Sequence, residues 1–173
     1  MIDLLRKRRS IRIYNDDCVT EQELETILGA ALLSPTGRNK QPVEFIVIND
    51  KAMLEKLSAT RTHGSQLIKG ADRAIVVIGD SELSDTWIED CSIAMTNMQL
   101  AATQLGIGNC WVQVRGRYLE ETGQLTADII KDYLGIPDKY SVESMLALGH
   151  TDEEWGTKDA PDVTERRVHR GKF

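Results

Sequence analysis

Arg8-Arg9-Ser10-Ile11-Arg12, residues 8–12, puts a dense positive charge near the start of an acidic chain. Five of the seven residues from Arg6 to Arg12 are cationic, whereas the 173-residue chain carries a formal charge of −6. Ser10 and Arg12 alternate with Ile11 and Ile13, the period of extended backbone. Just before them, Ile2, Leu4 and Leu5 have the spacing of one or two turns of amphipathic helix. Closely spaced guanidinium groups and a hydroxyl suit an anion with several acceptor oxygens, such as a phosphate. They equally suit a solvated basic turn with no ligand.

A chain of this length is expected to form one domain. It can bury roughly 70% of its unfolded surface, so its core needs neither a disulfide nor a metal. Cys18, Cys91 and Cys110 are odd in number, far apart and without CxxC spacing. That pattern fits a reducing compartment and argues against a zinc site. No signal peptide is expected at the N-terminus, and no apolar run approaches the ~18 residues of a membrane span. The expectation is a cytoplasmic protein. Its acidic balance argues against general nucleic-acid binding.

Working outward, Thr20-Glu21-Gln22-Glu23 reads as a capping box. Behind it Leu24, Ile27, Leu28, Ala31 and Leu32 recur at helical spacing, which predicts a helix from Glu21 to Leu33. Ser34-Pro35-Thr36-Gly37-Arg38-Asn39-Lys40-Gln41-Pro42 has no aliphatic side chain beyond its prolines and must be a loop. Apolar runs at Phe45–Ile48, Ala74–Ile78, Cys110–Val114 and Ser144–Leu148 read as strands. Helices are predicted from Lys51 to about Thr60, with Met53, Leu54 and Leu57 inward, and from Thr126 to Leu134, with Ile129, Ile130 and Tyr133 inward. The segment from Arg61 to Gly70 is ambiguous, punctuated by Gly64 and Gly70. Asp85 to Leu105 is the longest helical segment; its few charges after Asp90 predict burial on most sides, at the centre of the domain or at a subunit interface. The sequence from His150 to Phe173 is charged and cannot make its own core. Few strands and uneven connections favour a three-layer α+β sandwich, its small sheet mixed but mainly antiparallel and flanked by helices.

The scattered serines and the three histidines (His63, His150, His169) form no nucleophilic or metal-binding constellation. What remains is anion recognition by Arg8, Arg9, Ser10 and Arg12, a loop with two amides (Asn39, Gln41), and a glycine-flanked strand. This is equipment for holding a phosphorylated cofactor that itself performs the chemistry.

In this arrangement the chain resembles the nitroreductase family of flavoproteins. Arg8-Arg9-Ser10-Ile11-Arg12 resembles the family's RRSxR signature, and Ser34–Pro42 its SPSxxNxQP loop. Leu105-Gly106-Ile107-Gly108-Asn109-Cys110-Trp111-Val112 resembles its LGLGxxW segment, and Leu146–His150 its late strand. The resemblance spans almost the whole chain. It implies an intertwined homodimer with FMN in a cleft at each subunit interface. Arg8, Arg9, Ser10 and Arg12 would hold the phosphate, ribityl chain and pyrimidine edge. Pro35, Thr36, Gly37 and Asn39 would come from the other subunit, with Gln41 supporting the loop. Gln113 and Val114 would place backbone groups near the flavin N5, and the long helix would form the dimer core. The implied reaction is ping-pong hydride transfer from NADH or NADPH to a nitroaromatic, quinone or similar small electrophile, with Arg12 stabilising the reduced flavin. Residues 1–173 would then be a single nitroreductase-like domain, residues 150–173 forming a C-terminal extension that packs on the partner subunit.

The sequence also departs from the family pattern. For the C-terminal phosphate clamp only Lys158 is in place, with Arg166 and Arg167 as alternatives. Before the second strand there is no amide and lysine for the pyrimidine edge, and Lys69 is out of register. Two other readings stay open: an FMN storage or sensing protein without significant turnover, and a small α+β module that binds a nucleotide or nucleic-acid phosphate.

Overall fold

The computed structural model describes residues 1–159 and 167–172. In chain order the elements are α1 (Ile2–Lys7), α2 (Glu21–Leu32), β1 (Val43–Ile48), α3 (Lys51–Ser58), β2 (Arg73–Asp80), α4 (Trp87–Gln104), β3 (Gly108–Gln113), β4 (Tyr118–Leu119), β5 (Gln124–Leu125), α5 (Thr126–Leu134) and β6 (Tyr140–Gly149). The four runs read as strands pair in the order β1-β2-β6-β3. All three pairings are antiparallel, so this sheet has no parallel member.

Both faces of the sheet are apolar, and that dictates the layering. Val76, Ile78, Val112 and Met145 face α3 and α5 and pack with Leu54, Leu57 and Ile130. Ile75, Val77, Leu146 and Leu148 face the other way, onto Ile27 of α2 and Cys91, Met95 and Met98 of α4. The result is the three-layer α+β sandwich, with α4 along the middle of one outer layer.

Local signals act as read. Thr20 accepts from the Glu23 amide at 3.3 Å while Glu23 Oε2 accepts from the Thr20 amide at 2.8 Å, closing the capping box. The ambiguous stretch after α3 forms a 3₁₀ turn, Gln66–Gly70, pinned by fully buried Ile68. One inward assignment is corrected: Tyr133, in the last turn of α5, is 45% exposed.

β6 carries a bulge. Its register against β2 shifts between Val77 and Ile78, opposite Ser144 and Val142, leaving Glu143 as the extra residue. The Glu143 carbonyl accepts from both Val114 N (3.2 Å) and Arg115 N (2.9 Å), which ends β3 there.

Candidate functional site

The Arg8–Arg12 segment is extended and lies across the start of β3. Ile11 N donates to Asn109 O at 3.0 Å and Asn15 N to His150 O at 2.9 Å, so the segment is stitched to the ends of β3 and β6. Two glycines allow this close approach. A Cβ on Gly108 would come 2.9 Å from Ile11 Cγ2, and one on Gly149 2.8 Å from the Tyr14 ring. The packing brings Ser10, Arg8 and Arg12 beside the buried Cys110 thiol. Burial pushes that thiol up, and the two guanidiniums and the Ser10 hydroxyl pull it partly back. Burial likewise raises the Tyr14 phenol, with Arg12 opposing. Tyr14 donates to Ile11 O at 2.8 Å, and Arg12 Nη1 to Ser10 O at 3.0 Å. None of Arg8, Arg9 and Arg12 is ion-paired with a carboxylate among the described residues. Arg9 Nη1 is buried without a hydrogen-bond partner among the described residues.

The sequence after β6 runs beside this cluster. Trp155 Nε1 donates to Lys7 O at 3.0 Å and Lys158 N to Arg6 O at 2.9 Å, satisfying carbonyls that the C-terminus of α1 leaves open. Arg6 Nε returns a bond to Lys158 O at 2.8 Å. Lys158 is therefore held next to the cationic segment. Of the alternatives, Arg166 lies outside the described residues and Arg167 is exposed.

The polar loop sits elsewhere, at the N-terminal end of α4. Gly37 N donates to Asp90 Oδ1 at 2.9 Å, and Thr86 Oγ1 donates to Asp90 Oδ2 at 3.1 Å. Gln41 N donates to Thr36 Oγ1 at 3.0 Å, and Asn97 Nδ2 to Ser34 Oγ at 2.8 Å. Arg38, Asn39 and Gln41 all have left-handed backbone, with φ of 51°, 55° and 50°. Such residues cost roughly 1 kcal/mol or more each and persist only where the surroundings over-determine them. Here the surroundings include Asp90, a carboxylate only 3% exposed that spacing alone did not single out. Ser34, Thr36, Gln41 and Phe45 line a cleft of about 380 Å3 with α2 and α4. Leu32 and Leu33 project beside it, 70% and 87% exposed.

Gln113 and Val114 lie at the far end of β3. Val114 N is engaged by Glu143 O, and Gln113 O accepts from Arg61 Nη1 at 2.7 Å. Arg61 was not among the sequence candidates; it arrives from the far side of α3. Burial, and then the charge of Arg117, push its guanidinium below the ordinary arginine range.

The candidates thus fall into two groups. Arg8, Arg9, Ser10, Arg12 and Lys158 cluster at the start of β3, with Gln113 and Val114 further along the same strand. Pro35, Thr36, Gly37, Asn39 and Gln41 are remote from the Arg cluster. From Asp90 to Gln104 is fourteen helical steps, about 21 Å. The loop also precedes β1, on the opposite edge of the sheet from β3, roughly 14 Å away across three strand spacings. Among the described residues no group of three or more His, Cys, Asp or Glu side chains is placed to hold a metal. No described helix is long and apolar enough to cross a membrane.

Comparison with known proteins gives concordant matches. The Nitroreductase family model matches residues 5–61 and 59–150. The chain is similar to an Archaeoglobus fulgidus protein named "Putative NADH dehydrogenase/NAD(P)H nitroreductase", 40% identical over 177 residues, covering 99% of this chain and 98% of that one. An FMN-dependent nitroreductase from Clostridium difficile R20291 superposes with a TM-score of 0.94 at 44% identity, over all of both chains. A Desulfovibrio desulfuricans protein solved in complex with FMN superposes with a TM-score of 0.78 at 26% identity, covering 98% of this chain and 95% of that one.

Proposed function

The chain belongs to the Nitroreductase family, and from that premise we propose that it is an FMN-dependent oxidoreductase that takes electrons from NADH or NADPH. The observation that carries the reading is the division of the candidates. A cationic cluster without ion-pair partners among the described residues and a strained polar loop stand at opposite ends of α4, too far apart to hold one ligand within one chain. A second copy related by a two-fold axis brings the loop of one to the cluster of the other. The exposed Leu32, Leu33 and Ile93 give that copy an apolar surface to cover. Of the extension expected at residues 150–173, residues 160–166 and 173 lie outside the described residues; the enzyme's place is the cytoplasm.

The residues fit a flavin mononucleotide. Arg9 Nη1 is a buried donor lacking an acceptor among the described residues, which a phosphate oxygen would supply. Arg8 and Ser10 flank it in the chain, and Lys158, tied through its backbone to Arg6, adds a further positive charge nearby. From Cys110 to Val114 the strand extends about 13 Å, a span suited to an extended mononucleotide lying along it, with the partner's loop closing the other side. The chemistry such a cofactor supplies is ping-pong hydride transfer from the nicotinamide donor to a nitroaromatic, quinone or similar electrophile that uses the same slot. Arg12, exposed and without a carboxylate partner among the described residues, would supply positive charge where the cofactor takes up negative charge. Asp90 acts through the loop, fixing Gly37 and Thr86. No side chain need deliver a proton to an open slot, because water reaches it.

The test is the visible spectrum of the purified protein under anaerobic conditions, before and after NADH and then NADPH, with the oligomeric state measured by light scattering. A flavin band that bleaches, in a dimer, is the expected result. A colourless protein that does not take up FMN refutes the cofactor, and a monomer at micromolar concentration refutes the shared site. A flavin that neither donor bleaches favours storage or sensing.

A further inference from the structure

Beyond Gln113 the chain forms a second cavity, of about 250 Å3, lined by Arg61, His63, Gly116, Arg117, Tyr118 and Glu120. The cofactor assignment leaves all six unused. Arg61 is fixed in place. Its Nη1 donates to Gln113 O at 2.7 Å. The Gly64 backbone, at φ +90°, lies over the guanidinium so closely that a Cβ there would touch it at 3.5 Å. The turn is tied down by Ser65 Oγ and Gln66 Nε2, which donate to Arg61 O at 3.3 and 2.9 Å.

The positive charge in this cavity is under-compensated. Neither Arg61 nor Arg117 is ion-paired with a carboxylate among the described residues. Glu120 shares the wall, and Glu121 is engaged by the Thr62 hydroxyl at 2.9 Å and faces His63. Two guanidiniums in one concavity, one of them partly desolvated, disfavour each other. An anion with two or more oxygens relieves that cost and matches the arginine fork. The volume admits such a group with a small ring against Tyr118, and is below the ~300 Å3 at which sites for drug-sized ligands begin.

We propose that this cavity is a subsite for the anionic group, carboxylate or phosphate, of one of the enzyme's own redox substrates. Assigning it to a redox substrate rests on the reading under Proposed function, because the link is Gln113, which serves both Arg61 and the cofactor cleft. The anion site itself rests on the cavity alone.

The experiment compares the wild type with Arg117→Ala and Arg117→Lys. Arg117 is exposed, and its replacement leaves the fold intact. Calorimetric titration with inorganic phosphate at low salt reads the site without turnover. The expected result is about tenfold weaker binding in Arg117→Ala, the loss of one charge-assisted contact, and partial recovery in Arg117→Lys. Equal binding in wild type and Arg117→Ala overturns the proposal. The difference between the two isolates this cavity from phosphate bound at Arg8–Arg12, and it stands even if the protein proves to carry no flavin. Turnover then identifies the source. If Arg117→Ala lowers the ratio of kcat/KM for NADPH over NADH, the anion is the donor's ribose phosphate. If it lowers the ratio for para-nitrobenzoate over para-nitrobenzamide, the anion is the acceptor's carboxylate. Both ratios unchanged in a flavin-loaded, active enzyme overturns the assignment to a redox substrate.

Discussion

A single methyl group at Gly37 tests how the polar loop is held. A Cβ there would come 2.1 Å from Thr86 Oγ1 and 3.2 Å from Thr86 Cβ. Gly37 is not among the glycines with positive φ, so alanine meets no backbone strain and the collision is the whole effect. Thr86 can escape only by rotating its side chain. Rotation breaks its bond to Asp90 Oδ2 (3.1 Å) and its contact with Ser84 Oγ (3.1 Å). A hydrogen bond to a charged acceptor is worth roughly 1.5–3 kcal/mol and a neutral one about 1. Gly37→Ala should therefore cost about 3 kcal/mol, which for a chain of this size lowers Tm by roughly 6–12 °C. Thr86→Ala loses the same two bonds and should cost about as much. The double variant has no colliding hydroxyl and should lie within about 1 kcal/mol of Thr86→Ala alone, a coupling of about 3 kcal/mol in the cycle. Urea unfolding of the four proteins measures it. Additive costs, or a Gly37→Ala protein as stable as the wild type, would refute the claim that α4 holds the loop through Thr86 and Asp90.

Three further outcomes are expected. Gly149→Ala drives a Cβ to 2.8–3.0 Å from three Tyr14 atoms and should displace the segment carrying Arg12. Overpacking of this kind costs about 1–3 kcal/mol, and FMN retention should drop while far-UV circular dichroism is kept; full retention argues against the placement of Arg12. Arg8→Ala and Arg12→Ala should each weaken FMN retention measured by equilibrium dialysis, and no change in either removes the cluster from the site. Glu143 is 3% exposed, and burial raises its carboxyl above the ordinary 4.5. A raised carboxyl favours the protonated form in the fold, so its contribution is fully present below 4.5 and is lost as pH rises through the folded value. Glu143→Gln has no such loss. Its stability relative to the wild type should grow across that window in urea unfolding at a series of pH values, and parallel curves would rule the argument out.

The sheet and its flanking helices were legible because each rests on local pattern. Apolar runs at 45–48, 74–78, 110–114 and 144–148 mark strands covered on both faces, and the Thr20–Glu23 box marks the start of α2. The Arg cluster and the polar loop were legible as chemistry, since neither composition can be core. Their separation was not, because it depends on the length of α4 and on β1 and β3 taking opposite edges of the sheet, which no local spacing encodes. Asp90, Arg61 and Glu143 were missed for a related reason. Asp90 reads as one more acid in the first turn of a helix, a favourable place for any carboxylate; its role appears only when a loop 53 residues earlier docks on it. Arg61 reads as punctuation after α3 until the fold lays it on Gln113, 52 residues later. Glu143 lies just before the apolar run read as the fourth strand, and its burial appears only with the register of β6.

These three residues occupy points where an element begins or ends or its register breaks, and those are the points that would set the proposed cleft. The bulge at Glu143 terminates β3 at Gln113 by taking both the Val114 and Arg115 amides. That termination frees the Gln113 carbonyl for Arg61, which in turn fixes the cationic cavity beside it. Restoring a regular register at residues 142–144 would leave the Arg8–Arg12 cluster intact and dismantle the other end of the cleft. The two ends of the proposed site are thus held by independent devices: glycine-enabled packing of the N-terminal segment at one, and a strand irregularity at the other.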